Sequence, residues 1–151
     1  MSRWLKLACA LLLALASLPA ATASAQIVLP PCTFMGLQPT GAIYYISQPI
    51  NPNTGACITD ADLVVFAHGY VPNDGLPVEF PEEILFLPNP DDPANPVFIP
   101  GLVNTMGYAF AATSYSQEGL AVVPGVNDIV NLVDVYKANK EDFGTPAHTY
   151  V

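Results

Sequence analysis

Two short runs in this chain are apolar without alternation. Residues 63–67 read LVVFA and residues 108–114 read YAFAATS. A strand with water on one face alternates apolar and polar side chains, whereas a strand covered on both faces does not. Both runs are therefore expected to be buried strands of a parallel sheet. Residues 41–48, GAIYYISQ, are rich in Ile and Tyr and predict an earlier strand. The turn cluster NPNTG at 51–55 leads from it to 56–59, a short partner strand. Residues 26–40 show no clear period. Late in the chain the spacing becomes helical. Val126, Ile129, Val130, Val133 and Tyr136 mark one face of a helix that starts between Pro124 and Asp128. Asn127 and Asp128 suit its positive end, Lys137 and Lys140 its negative end, and Gly144 and Pro146 stop it. Residues 102–106 predict a short helix ended by Gly107. Residues 147–151, AHTYV, begin another strand.

Between the two buried runs the chain changes character. Residues 71–100 hold eight prolines and six acidic residues, a density that excludes a long helix or a central strand. Within them 82–87 has room for one helical turn or a short strand. The segment reads either as a solvated acidic loop or as a lid over the end of the strand at 63–67. Strands alternating with helices predict an α/β fold with right-handed crossovers. Its sheet is expected to be mainly parallel, with antiparallel edge strands at the N-terminal side.

Composition narrows the setting. The chain has 151 residues, 52% hydrophobic and 11% charged, enough for one domain with a buried core. Arg3 and Lys6 precede an apolar stretch at 7–18, and Ala23-Ser24-Ala25 offers a cleavage site. That is the layout of a secretory signal peptide over residues 1–25, with an apolar stretch too short to cross a bilayer. A secreted or periplasmic domain over 26–151 is expected. After residue 25 two lysines face thirteen acidic residues, a formal charge of −11. Such a surface repels phosphate backbones and anionic lipids, so neither nucleic acid nor membrane is expected as a partner. Cys32 and Cys57 remain after export, and an oxidising compartment predicts a disulfide between them, two separate thiols being the alternative. Two cysteines and two distant histidines lack metal-ligand spacing, and the acidic loop lacks a calcium pattern, so no cofactor is expected.

The buried run at 63–67 ends in His68-Gly69-Tyr70, and ligands of open α/β sheets bind at the carboxyl ends of strands. Three features together resemble the N-terminal part of a secreted α/β-hydrolase, over roughly residues 41–151. They are this strand with its His-Gly-Tyr end; GYAFAATSYSQEGLAV at 107–122; and the late helix followed by Gly144-Thr145-Pro146 and a strand. The resemblance implies a serine hydrolase acting on a small-molecule ester or amide. It assigns the Tyr70 backbone N–H to an oxyanion hole, Gly69 to a tight turn open to a carbonyl oxygen, and His68 to positioning the loop. In that family the strand after the helix runs into G-x-S-x-G, which presents the nucleophilic serine. Here the sequence reaches Thr149-Tyr150-Val151, so the triad is expected beyond it and the chain is expected to be inactive alone. Ser114 and Ser116 lie past a strand end but in no glycine-flanked turn. His148 reads as the start of a strand, and Tyr44, Tyr45 and Tyr108 read as packing. The alternative is a complete secreted module that binds or builds without catalysis.

Overall fold

The computed structural model describes residues 29–70, 72 and 78–151. The signal peptide expected at 1–25 lies outside them, as do residues 71 and 73–77 of the proline-rich segment. Strand β1 (Thr33–Leu37) and strand β2 (Ile43–Ser47) form a hairpin, and β3 (Leu63–Phe66) follows. A 3₁₀ turn at Glu82–Leu85 leads into β4 (Phe86–Leu87), which pairs antiparallel with β5 (Val97–Phe98). Helix α1 (Ile99–Thr105), strand β6 (Ala109–Thr113), helix α2 (Val122–Ala138), the short helix α3 (Lys140–Phe143) and β7 (Thr149–Tyr150) complete the order.

The main sheet has five strands in the order β1-β2-β6-β3-β7. It is mixed, not mainly parallel as the sequence led us to expect. The β1/β2 and β2/β6 pairs are antiparallel, and the β6/β3 and β3/β7 pairs are parallel. Connection length explains the division. The link between β1 and β2 is too short for the crossover that a parallel pair requires, so the hairpin must be antiparallel and joins the sheet through β2. The partner of β2 was also misplaced. Residues 56–59 form no strand, and only an isolated Ile50–Cys57 bridge marks that region. The partner is β1, which lies in the lead-in that showed no period. Met35 packs on one face of the sheet and Phe34 on the other, so β1 has no polar face to alternate with. Gly36 stands opposite Tyr44, whose ring occupies the space a Cβ would take, with the hydroxyl oxygen 2.6 Å from that position.

Two apolar layers cover the sheet. Ala109 and Ala111 face Leu63, Val65, Leu132 and Tyr136 on the α2 side. Phe110 and Ala112 face Tyr45, Leu85 and Ile99 on the α1 side. The strand β6 is buried at all five positions, as its unbroken apolar run predicts. The proline-rich segment is more than a solvated loop. Phe80, Ile84 and Phe98 pack onto the α1-side layer. Both main helices begin before the expected residue, because Pro100 and Pro124 sit inside first turns, where a missing N–H costs nothing. The buried stripe of α2 is Gly125, Asp128, Leu132 and Tyr136, while Val126 and Val130 are 56% and 58% exposed. The helix is thus rotated from the face that its valines suggested.

Cys32 and Cys57 form a disulfide with Cα atoms 5.5 Å apart. It ties the residue before β1 to the loop after β2, a span of 25 residues. The bond is consistent with an exported protein. No helix among the described residues is long and apolar enough to cross a membrane. Closing a loop of this size stabilises the fold by roughly 3 kcal/mol on the chain-entropy model. Intact-mass analysis of the exported protein should show no alkylation of Cys32 or Cys57 until it is reduced. The double variant Cys32→Ser, Cys57→Ser should lose about 3 kcal/mol in urea unfolding.

Candidate functional site

The chain leaves β3 for α1 on one face and leaves β6 for α2 on the other. Two crossovers of the same hand that travel in opposite directions put their helices on opposite faces. The loops after β3 and β6 therefore part company at neighbouring strand ends. This is a topological switch point, where open α/β sheets form a crevice. His68, Gly69 and Tyr70 come from the first loop, and Tyr115 comes from the second.

His68 is buried, and its Nδ1 lies 2.8 Å from the Gly69 carbonyl oxygen. A carbonyl only accepts, so Nδ1 carries the proton and Nε2 holds the lone pair in the neutral ring. Nε2 is buried without a hydrogen-bond partner among the described residues. Burial pushes the imidazole pKa below its ordinary 6.5, against the opposing pull of the Gly69 and Thr113 carbonyls and the Glu83 carboxylate. The Tyr115 ring stacks on the imidazole, with centroids 4.1 Å apart, and its hydroxyl donates to the His68 carbonyl at 2.8 Å. Burial, then the nearby Asp128 carboxylate, raise the pKa of that hydroxyl, which keeps it a donor. Two contacts from one side chain thus hold the His68-Gly69 loop.

Tyr115 reaches this position at a backbone cost. Its φ is +59°, a left-handed conformation that costs a non-glycine residue about 1–2 kcal/mol. The neighbouring residues hold it there. Gly125, in the first turn of α2, lies so close that a Cβ there would sit 3.3 Å from the Tyr115 ring. Asp128, one turn on, is fully buried and accepts from the Ser116 amide at 2.6 Å and the Ser116 hydroxyl at 2.9 Å. Its carbonyl accepts from Gln38 Nε2 at 2.8 Å, and Gln38 Oε1 accepts from the Thr113 hydroxyl. The end of β1, the end of β6 and the start of α2 are therefore one buried polar network beneath the crevice.

The other candidate residues fall into place around it. Gly69 and Tyr70 line a crevice of about 290 Å³ together with His68 and Tyr115. Tyr70 is 69% exposed, and among the described residues no backbone hydrogen bond uses its amide. Ser114 Oγ accepts from the Ile43 amide and donates to the Tyr115 carbonyl, and Ser116 is held by Asp128. No hydrogen bond among the described residues joins a serine to a histidine. His148 lies at the other end of the sheet, its Nδ1 3.0 Å from Asp62 and its amide donating to the same carboxylate. Five to six residues of strand separate that level from His68, roughly 16–20 Å, so the two histidines cannot act together. Tyr45 is core, Tyr44 packs against the α2-side layer, and Tyr108 meets the Tyr150 ring edge-on.

Compared with protein-family models, with curated proteins and with solved structures, the chain matches none. The site therefore rests on its own geometry. Tyr115, Gly125 and Gln38 were not singled out from the sequence, and Asp128, expected to suit the positive end of the helix, lies instead in its second turn and is buried. One signal was present: Gly125, Asp128, Leu132 and Tyr136 are spaced as one helical stripe, which places a carboxylate in line with apolar residues.

Two outcomes follow from these contacts. Asp128→Ala should destabilise the fold by about 1.5–3 kcal/mol in urea unfolding, the range for a lost hydrogen bond to a charged group. It should also speed hydrogen exchange at the Ser116 amide. His68 has a folded pKa below its unfolded value, so the unfolded chain takes up the proton first. Its contribution to stability is complete above about pH 6.5 and is lost as pH falls from there towards the lower folded value. The thermal midpoint should drop between pH 7.5 and pH 5.5, and His68→Gln should flatten that part of the profile.

Proposed function

We propose that this chain carries the oxyanion side of a secreted serine hydrolase of the α/β-hydrolase type, acting on an ester or amide. The observation that carries the proposal is the position of Gly69 and Tyr70. They stand at the carboxyl end of the third strand, in the crevice at the switch point, with the Tyr70 amide uncommitted among the described residues. In the α/β-hydrolase fold the loop after the third strand supplies one amide to the oxyanion hole. The residue after the nucleophile supplies the other. The pairing of β7 with β3 supports this. Leu63 pairs with Thr149 and Val64 with Tyr150, in parallel. A turn at the carboxyl end of β7 would stand beside His68 and Gly69, where a serine could attack a carbonyl whose oxygen faces the Tyr70 amide. That oxygen becomes an oxyanion in the tetrahedral intermediate, and the amide stabilises it most strongly there.

On this reading the gene continues past Val151 through a G-x-S-x-G turn, and residues 1–151 alone do not turn over p-nitrophenyl esters. Reading the transcript beyond codon 151 checks the first point. Turnover by the 151-residue chain that a serine-directed phosphonate abolishes would overturn the second. In the longer enzyme, Tyr70→Phe keeps the N–H and should retain most activity. Tyr70→Pro removes it and should lower kcat by roughly a hundred- to a thousandfold, with folding checked by circular dichroism. A folded Tyr70→Pro enzyme with unchanged kcat eliminates this amide as a donor. A stop codon after Val151 and one sharp unfolding transition of residues 26–151 would favour a non-catalytic module instead.

A further inference from the structure

We infer that Asp60 and Asp62 form a two-point clamp that sets the register of β7 against β3. On the hydrolase reading they are positioning residues for the nucleophile, an assignment that rests on that reading; the clamp itself does not. The ladder between the two strands is too short to fix itself. It has two pairs, Leu63 with Thr149 and Val64 with Tyr150, and parallel pairing is the weaker kind. A slip of one residue moves a strand by about 3.3 Å and turns every side chain to the other face. The residues just before the ladder prevent that slip. Asp62 Oδ1 accepts from the His148 amide at 2.8 Å, and Asp62 Oδ2 lies 3.0 Å from the His148 ring Nδ1. The neighbouring Leu63 amide donates back to the His148 carbonyl at 3.0 Å. Two residues earlier, Asp60 Oδ1 accepts from the Thr145 amide at 2.6 Å, and the Asp60 amide donates to the Phe143 carbonyl at 3.3 Å. Carboxylates two residues apart thus hold both ends of the link from α3 to β7. The close approach is built into the backbone. Asp60 has a φ of +63° and Gly144 a φ of +76°. Asp adopts this left-handed conformation more readily than most residues, and a Cβ at position 144 would overlap the Asp60 amide nitrogen and carboxylate. Bonds from the His148 amide, then from its ring, hold the Asp62 carboxyl below the ordinary carboxylate range, so Asp62 grips as an anion at neutral pH. The clamp lies at the opposite end of the strands from His68 and reaches the crevice only through β7.

The test follows two amides of the 151-residue chain by NMR hydrogen exchange. The Leu63 amide donates to His148 and reports the docking of β7. The Ala109 amide donates to the Asp62 carbonyl at 2.9 Å and reports the rest of the sheet. Asp62→Ala should speed exchange at Leu63 roughly tenfold and weaken the cross-strand NOE between Leu63 and Thr149, with Ala109 unchanged. Asp62→Asn keeps a carbonyl oxygen for the His148 amide and should restore most of the protection. Asp60→Ala should act in the same direction as Asp62→Ala. It changes an exposed position, which keeps the test decisive if Asp62→Ala fails to fold. Unchanged exchange at Leu63 in the alanine variants overturns the inference. Equal acceleration at Leu63 and Ala109 also overturns it, because that marks a general loss of stability. In the longer enzyme Asp62→Ala should lower kcat roughly tenfold or more with KM unchanged, and Asp62→Asn should stay near the parent. The two proposals fail separately. Release of β7 in a protein without a downstream nucleophile retains the clamp and removes the hydrolase. Ester turnover by the longer enzyme, with Leu63 exchange unmoved in the alanine variants, does the reverse.

Discussion

Strand β6 has a hydrogen-bonded neighbour on each edge and a packed layer on each face. All of its five side chains are buried, and three of them are alanine. Much of the molecule follows from that enclosure. Small side chains let α1 and α2 approach from opposite sides. Phe110 supplies the bulk on the α1 face and leaves the α2 face to Leu132 and Tyr136. Because the strand sits between β2 and β3, the chain must travel one way to reach β6 and the other way to reach β7. That reversal opens the crevice. The site is therefore a product of sheet order, and the buried strand is what enforces the order.

Residues whose environment is set by near neighbours in sequence were legible before the structure. The unbroken runs at 63–67 and 108–114 became β3 and β6 because burial on both faces removes any reason for a polar position. The late helix was legible, but it begins at Val122 and breaks at Asn139, ahead of the expected bounds, and its rotation was not legible. Val126 and Val130 looked like core because they are apolar at helical spacing. The helix is rotated by what it meets, and it meets Tyr115 and Ser116 of a loop whose position no local pattern reveals. Strand β1 was invisible for a related reason. Phe34 and Met35 pack on opposite faces and Gly36 makes room for a ring on the next strand, so the strand has neither alternation nor a continuous apolar run. The mixed character of the sheet was underestimated because pairing direction depends on connection length, and the true first hairpin had not been seen.

At the site, His68, Gly69 and Tyr70 were legible from their position after a buried strand. Their support was not. Tyr115 acts through a stacked ring and one hydroxyl on a residue 47 positions earlier, and Asp128 acts on Ser116 across 12 positions. Long-range polar contacts of this kind leave little trace in a single sequence, because any aromatic or acidic residue reads as packing or as surface. The cysteines were easier, since Cys32 and Cys57 are the only pair outside the expected signal peptide.

The sheet order also sets a timetable for the nascent chain. Strands β2 and β3 never pair with each other; both wait for β6. A chain made from its N-terminus releases the Leu63-Val64-Val65-Phe66 segment 43 residues before Ala109 exists. At 5–20 residues per second this is about 2–9 s of synthesis. During that interval the early part of the domain has one hairpin, one bare apolar strand and no surface to lay it on. The proline-rich segment is what emerges next, and its strands among the described residues are limited to the two-residue pair β4 and β5. The main sheet can therefore close only after Ala109 and its neighbours in β6 have been made.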